Sequence, residues 1–189
     1  MNRILTLDAG DYGPNLPELY RLAARGIIFL EGRLLLTENR YGEVKLPGGG
    51  VEAGEDEIAA LIREVREETG YAVAPASIRP FGEIEEKRLS AEGDRIWHQV
   101  SRLYLCRVAG APAPCSYSEG EKRLCFRPVL YTLEQAIQKN RAMLDREGEH
   151  TYNQREYKTL LLIRERLGQS PEGGGGKENV PGVRPHRDD

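Results

Sequence analysis

The chain has 189 residues and 21.2 kDa, room for one ordinary domain with appendages but not for two full-sized ones. Hydrophobic residues make up 39% and charged residues 30%, which excludes a membrane-like, collagenous or wholly disordered chain. The net charge of -3 excludes a protein held on nucleic acid or an anionic membrane by bulk positive charge. That small figure hides a concentration: between Gly50 and Gly70 seven acids face only Arg63 and Arg66, a local charge of -5 that leaves +2 for the rest.

Residues 1–20 carry acids from Asp8 onward and no sustained apolar run, so they are expected to form an N-terminal segment that is neither a secretory leader nor a membrane span. A folded domain is expected over 21–167. Arg25 to Leu30 (RGIIFL), a tight Glu31-Gly32 connection and Arg33 to Thr37 (RLLLT) predict a β-hairpin. The polar ENRYGE leads into Val44 to Gly50 (VKLPGGG), a short strand running into a glycine-rich loop. From Asp56 to Thr69 the apolar Ile58, Leu61, Ile62 and Val65 recur at helical spacing, and Gly70 is placed to end the helix.

Further strands are expected at Phe81 to Ile84, Trp97 to Val108 and Leu124 to Tyr131, with Pro128 marking an edge or bend. Helices are expected at Leu133 to Leu144 and Tyr157 to Leu167, and the mixture predicts a layered α/β (α+β) fold. Residues 168–189 are too polar and glycine-rich to offset the entropy of ordering and read as a flexible tail, with His186 solvated and His150 at the surface. Cys106, Cys115 and Cys125 are odd in number and lack metal-ligand spacing, which fits a reducing cytoplasm. Cys106 and Cys125 lie in apolar runs and are expected to be buried.

The chemistry concentrates on the acidic helix. Glu64, Glu67 and Glu68 fall within an arc of about 100° on one helix surface, beside the apolar stripe. A solvated acidic face is the ordinary reading of such a cluster. Here, however, Gly48, Gly49 and Gly50 let backbone approach a ligand closely, and Arg63 can hold a neighbouring acid in one rotamer. Oxygen-only ligands favour Mg²⁺ or Mn²⁺ over zinc, and Mg²⁺ commonly binds carboxylates together with substrate phosphates.

These residues match a known pattern: Gly49, five residues, Glu55, seven residues, then Arg63-Glu64-Val65-Arg66-Glu67-Glu68-Thr69-Gly70-Tyr71. This resembles the Nudix box, complete at every charged and glycine position; Tyr71 stands where an aliphatic residue is usual. The resemblance runs from about Arg25 to Leu167. It implies a Nudix-type α/β/α sandwich with a mixed β-sheet and hydrolysis of a nucleoside diphosphate linked to another moiety, with Mg²⁺ or Mn²⁺ as cofactor.

The resemblance further implies that Glu64, Glu67, Glu68 and the carbonyl of Gly48 ligate metal, that Glu55 supports the helix start and that Arg63 orients a glutamate. An additional acid from a later loop is expected, with Glu119 favoured over Glu121, and Glu85 and Glu86 as further candidates. Substrate recognition lies outside the box: Arg25, Arg40 and Arg88 are the chosen candidates, with Asn39, Tyr41, Trp97 and His98 behind them. Trp97 can stack on a base, though a sole Trp in a strand-like run is more often simply core, and His98 reads as a satisfied strand histidine. The favoured substrate is a nucleoside triphosphate, oxidised ones included, cleaved to monophosphate and pyrophosphate. ADP-ribose or a nucleotide sugar is the alternative, and a non-catalytic nucleotide sensor is the alternative of another class. A small nucleotide is the expected partner, with no membrane and no nucleic acid; oligomeric state is left open.

Overall fold

The computed structural model describes residues 1–144 and 152–168. An eight-stranded mixed sheet runs in the order β1 (Arg3–Asp8), β7 (Arg79–Leu89), β8 (Ile96–Cys106), β2 (Glu18–Leu30), β3 (Arg33–Glu38) and β10 (Arg127–Tyr131). The two-residue β4 (Val44–Lys45) pairs with β3, and β5 (Gly48–Gly50) pairs with the middle of β2. β1 lies parallel to β7 and β8 parallel to β2, while the remaining pairings in this sheet are antiparallel. β6 (Ala72–Val73) and β9 (Val108–Ala109) form a separate ribbon.

The central strands are apolar on consecutive residues because both faces of the sheet are covered. Side chains alternate across a strand, so Ile27, Leu34 and Leu36 pack with Ala136 and Ile137 of α3 (Leu133–Met143) and with Leu160 and Ile163 of α4 (Tyr152–Gly168). Their neighbours Ala24, Ile28 and Leu35 point the other way, against Ala60, Leu61 and Val65 of α1 (Glu57–Thr69). One helix on one face and two on the other make the expected three-layer α/β/α sandwich. Full burial of a side chain such as Leu61 contributes about 1.5–3 kcal/mol.

The strands exceed the sequence expectation where charge interrupts the apolar pattern. β2 begins at Glu18 rather than Arg25, and β7 extends to Leu89 rather than Ile84, because charged residues in the added stretches, Arg21, Glu86 and Arg88 among them, line a cleft and interrupt the apolar pattern. The expected strand from Leu124 starts instead at Arg127. Before it the chain makes a short helix, α2 (Glu119–Arg123), capped by Leu124, and turns through Cys125 with φ 53°. That turn leaves Cys125 exposed, contrary to expectation, while Cys106 is buried as expected. Apart from Gly168, the expected tail lies outside the described residues, as do His150 and His186. Among the described residues no helix is long and apolar enough to cross a membrane.

Both ends of α1 are locally determined. The Asp56 carboxylate accepts from the backbone N–H of Ile58 at 2.6 Å and of Ala59 at 3.3 Å, satisfying donors the first turn cannot. Gly70 ends the helix at φ 76°, and a Cβ there would fall 2.0 Å from the Ala113 carbonyl oxygen. Gly54 has a similar φ of 80° but open space around it. Gly70→Ala should therefore cost well over about 1 kcal/mol in urea unfolding and Gly54→Ala about 1 kcal/mol or less. Equal losses would show that the contact with Ala113 contributes nothing.

Candidate functional site

The glycine loop is shaped by what it must avoid. β5 lies antiparallel to Ala23–Arg25, and Gly48 at φ 135° sits so close to β2 that a Cβ would be 2.2 Å from the Ala24 oxygen. At Gly49 a Cβ would fall 2.5 Å from the carboxylate of Glu64. Bare backbone lets the loop lie against β2 at Gly48 and against the acidic helix face at Gly49.

Arg63 gathers the carboxylates. Its Nε and Nη2 donate to the two oxygens of Glu55, each at 2.9 Å, and Nη2 also donates to the Gly50 carbonyl at 3.1 Å. Nη1 donates to Glu64 at 2.9 Å and Glu67 at 3.3 Å. Three carboxylates against one guanidinium leave two negative charges, the complement of a divalent cation. The Arg63 guanidinium, with a bond from the Glu52 N–H, holds the Glu55 carboxyl down at about 2.

Glu68 is handled separately. Its side chain is buried, with one oxygen accepting from Lys45 Nζ and the other from the Gly48 N–H, both at 2.7 Å. Burial pushes its carboxyl above the ordinary value despite the lysine. The backbone at this end of α1 is strapped: Ser116 N–H donates to the Glu67 carbonyl at 2.8 Å and the Tyr117 hydroxyl to the Glu68 carbonyl at 2.9 Å. These are carbonyls that a helix C-terminus leaves without internal partners.

The donor set fits a hard divalent cation, because it is all oxygen, and Gly49 lacks the Cβ that would push the Glu64 carboxylate away. The carboxylates are not, however, converged on one point: among the described residues no group of three or more His, Cys, Asp and Glu side chains is arranged to hold a metal. The cause is visible. Arg63 Nη1 draws Glu64 and Glu67 to itself, Lys45 draws Glu68, and the Gly48 carbonyl accepts from Arg25 Nη1 at 3.1 Å. Protein cations stand where a metal would compete.

Beside the box lies a cavity of about 240 Å³ whose lining includes Arg21, Arg25, Lys45, Arg88 and Arg155 against the single acid Glu86. Arg155 is matched by Glu86 at 2.7 Å and Glu156 at 3.1 Å, but Arg21 and Arg25 form no ion pair among the described residues. Arg25 is buried, its Nε has no hydrogen-bond partner among the described residues, and burial next to Arg155 lowers its pKa. Trp97 stands between Arg21, at 5.8 Å, and Arg88, at 5.4 Å, while Phe126 opposite carries Lys45 Nζ 4.5 Å from its ring centroid. Uncompensated cations around an aromatic-walled gap can receive phosphate together with a ring.

The structure brings Arg25, Arg88 and Trp97 from the expected set to this cavity, but not Arg40. Arg40 sits outside it in the β3–β4 connection, with its guanidinium 4.9 Å from the Tyr41 ring. Asn39 accepts from the Tyr41 and Glu43 N–H groups and shapes the same connection. Glu119 is also displaced: its side chain is 85% exposed and pairs with Lys122 at 2.7 Å. Glu121 turns inward instead, accepting from Ser118 N–H at 2.9 Å and reaching within 3.8 Å of Lys45 Nζ. Burial raises the Glu121 pKa, but the Ser118 bonds and the Lys45 charge outweigh it and hold the group below the ordinary range.

Glu85 and His98 are joined on the other face of the sheet, His98 bridging Glu85 and Glu18, while Glu86 lines the cavity. Sequence reasoning missed Arg21, Lys45, Phe126 and Arg155. The alternation of Arg21, Ala23 and Arg25 was a usable signal once β2 is extended to Glu18. No local pattern announces Arg155, which reaches the sheet from α4.

A NUDIX domain model matches residues 19–152. The chain is 34% identical over 64 residues to the nucleoside triphosphatase NudI of Enterobacter sp. (strain 638), covering 34% of this chain and 45% of that protein. It is also 34% identical over 55 residues to the putative ADP-ribose pyrophosphatase YjhB of Bacillus subtilis (strain 168), covering 29% and 26% respectively. These matches span less than half the length of either curated relative. The crystal structure of a mutator MutT protein from Bacillus halodurans superposes with a TM-score of 0.50 at 20% identity, over 62% of this chain and 72% of that one, a likeness of fold.

The Glu55–Arg63 pair makes a pH prediction. A carboxyl depressed in the folded state contributes stability that is present above its ordinary value of 4.5 and is lost as the pH falls toward about 2. In urea unfolding between those limits wild type should lose stability more steeply than Glu55→Gln. Parallel pH profiles would show that Arg63 does not hold Glu55 in solution.

Proposed function

The chain belongs to the Nudix hydrolase family, and from that premise we propose that it is a divalent-cation-dependent pyrophosphohydrolase of nucleoside diphosphate derivatives. The observation that carries this reading is the junction at Lys45, where an acidic box with two uncompensated charges meets a cavity rich in arginine. Cation and substrate phosphate complement the two halves. A nucleoside triphosphate, oxidised forms included, is the favoured substrate, cleaved to monophosphate and pyrophosphate. The name of the NudI relative agrees with that choice, and the name of the YjhB relative agrees with the alternative, ADP-ribose. A non-catalytic sensor is disfavoured because every box carboxylate is present.

In this proposal Glu64 and Glu67, released from Arg63 Nη1, and Glu68 would hold Mg²⁺ or Mn²⁺ together with the Gly48 carbonyl. The bound cation supplies charge neutralisation and makes water a better nucleophile near neutral pH. Arg63 keeps Glu55 and the Gly50 carbonyl in register, so the loop stays against the helix. Arg21, Arg25 and Arg88 take the phosphates, and Phe126 with Trp97 walls the organic moiety.

Water attacks one phosphorus of the bridge in line with the leaving oxygen, whose anhydride bond breaks as the new P–O bond forms. A carboxylate takes the proton. Among the loop acids Glu121 is the candidate by placement, beside Lys45 and Glu68, in place of Glu119.

The test is a turnover panel with Mg²⁺ or Mn²⁺ covering canonical and oxidised nucleoside triphosphates, ADP-ribose and sugar nucleotides. Triphosphates should show the highest kcat/KM. Glu67→Gln, at a half-exposed side chain, should lower kcat by about 100-fold or more with an unchanged unfolding midpoint. Wild-type turnover in that variant would contradict the ligand assignment, and binding of a nucleotide without any cleavage would favour the sensor.

A further inference from the structure

Between β4 and β5 the chain leaves the sheet ladder for Leu46 and Pro47, and its main-chain polar groups need other partners. The Leu46 carbonyl accepts from Arg25 Nη1 at 3.2 Å, the Pro47 carbonyl from the Gly26 N–H at 2.9 Å and the Gly48 carbonyl from Arg25 Nη1 at 3.1 Å. The Gly48 N–H donates to Glu68 at 2.7 Å. Proline has no N–H, so one group is left. The Leu46 N–H donates to Glu156 Oε2 at 3.1 Å. Glu156 comes from α4 and lies beyond the span 19–152 matched by the NUDIX domain model.

Glu156 is buried, and the hydrolytic reading so far gives it no part. Pairing with Arg155 does not account for it. Arg155 donates to Glu86 at 2.7 Å, a shorter bond than the 3.1 and 3.3 Å it makes to Glu156 Oε1. A buried carboxylate is costly unless its oxygens are met, and here the second oxygen is met by the loop. The other helix on this face acts the same way one step earlier in the chain. Asn140 of α3 is buried, accepts from the Val44 N–H at 3.2 Å and donates to the Val44 carbonyl at 2.9 Å. The side chains of Val44 and Leu46 are packed in the same cluster as Leu160 and Ile163 of α4.

We propose that Glu156 is a positioning residue of the hydrolytic site, holding the Leu46–Gly48 backbone against the acidic helix from behind, with Asn140 as its counterpart on Val44. The inference rests on the hydrolase reading and extends its machinery to α3 and α4. Leu46 stands between the two residues that the site needs in place: Lys45, bonded to Glu68, and Gly48, whose carbonyl is the proposed cation ligand. Pro47 fixes the φ angle between Leu46 and Gly48, so a shift at Leu46 passes on to the Gly48 carbonyl rather than being absorbed.

Three variants test this: Glu156→Met, Asn140→Ala, and Ile163→Val, which loosens α4 in the core without removing a hydrogen bond to the loop. Glu156→Met and Asn140→Ala should each weaken Mn²⁺ binding about tenfold, as loss of an outer support does at other metal sites. At saturating Mn²⁺ they should lower kcat about 10- to 100-fold with KM changed by less than about threefold. Ile163→Val should keep wild-type Mn²⁺ affinity and kcat whatever it does to the urea midpoint. If Glu156→Met does not fold, Asn140→Ala gives the same readouts.

Hydrogen exchange followed by NMR reads the bond itself. The Leu46 amide should be protected in wild type and exchange at least about tenfold faster in Glu156→Met, after correction for global stability. A wild-type Leu46 amide that exchanges like an exposed one overturns the proposal. So do variants that lose stability alone and keep wild-type Mn²⁺ affinity and kcat. If wild type cleaves nothing while both loop-supporting variants still bind Mn²⁺ more weakly, the hydrolase reading fails and the positioning role stands.

Discussion

Everything at the acidic end of the molecule depends on how one guanidinium is shared. Arg63 spends its donors on Glu55, Glu64, Glu67 and the Gly50 carbonyl, tying the loop before α1 to the helix's acidic face. Without it, carboxylates three and four residues apart would repel by a few tenths of a kcal/mol per pair, roughly the size of ordinary helix-surface pairings. More important is position: a bidentate Arg–carboxylate pair restricts both rotamers, which a lysine at the same place cannot do. The glycines complete the constraint, since Gly49 has no Cβ to push Glu64 away.

The second organising feature is the division of charge. Glu55, Glu64 and Glu67 exceed Arg63 by two charges, and a few residues away Arg21 and Arg25 have no ion-pair partner among the described residues. Lys45, bonded to the buried Glu68 and lying over Phe126, stands on the boundary. An overall charge of -3 averages across these opposed regions and conceals both. Buried charges with incomplete partners are costly to maintain, and their concentration in one cleft is the usual mark of a site that meets a charged ligand.

The box was legible in the sequence because its geometry is local: helical periodicity places Glu64, Glu67 and Glu68 together, and the Asp56 cap and Gly70 mark the ends. The two-faced core was legible too, since consecutive apolar residues such as Ile27 and Ile28 need cover on both sides. The cationic cavity was not, because Arg21, Arg88 and Arg155 meet only through the parallel pairing of β2 with β8 and the packing of α4 across β7. Glu121 was half legible. Ser118 followed three residues later by a glutamate is a capping-box signature, which turns Glu121 inward and leaves Glu119 on the solvent side.

That the acidic face of α1 is a cation site is tested most directly by Mn²⁺ titration followed by electron paramagnetic resonance. The comparison is wild type, Glu64→Gln, and Glu134→Gln as a control on the exposed Glu134–Arg164 pair. The expected result is saturable Mn²⁺ binding weakened at least about tenfold by Glu64→Gln and left unchanged by Glu134→Gln. Mn²⁺ affinity in Glu64→Gln equal to that of wild type would contradict it.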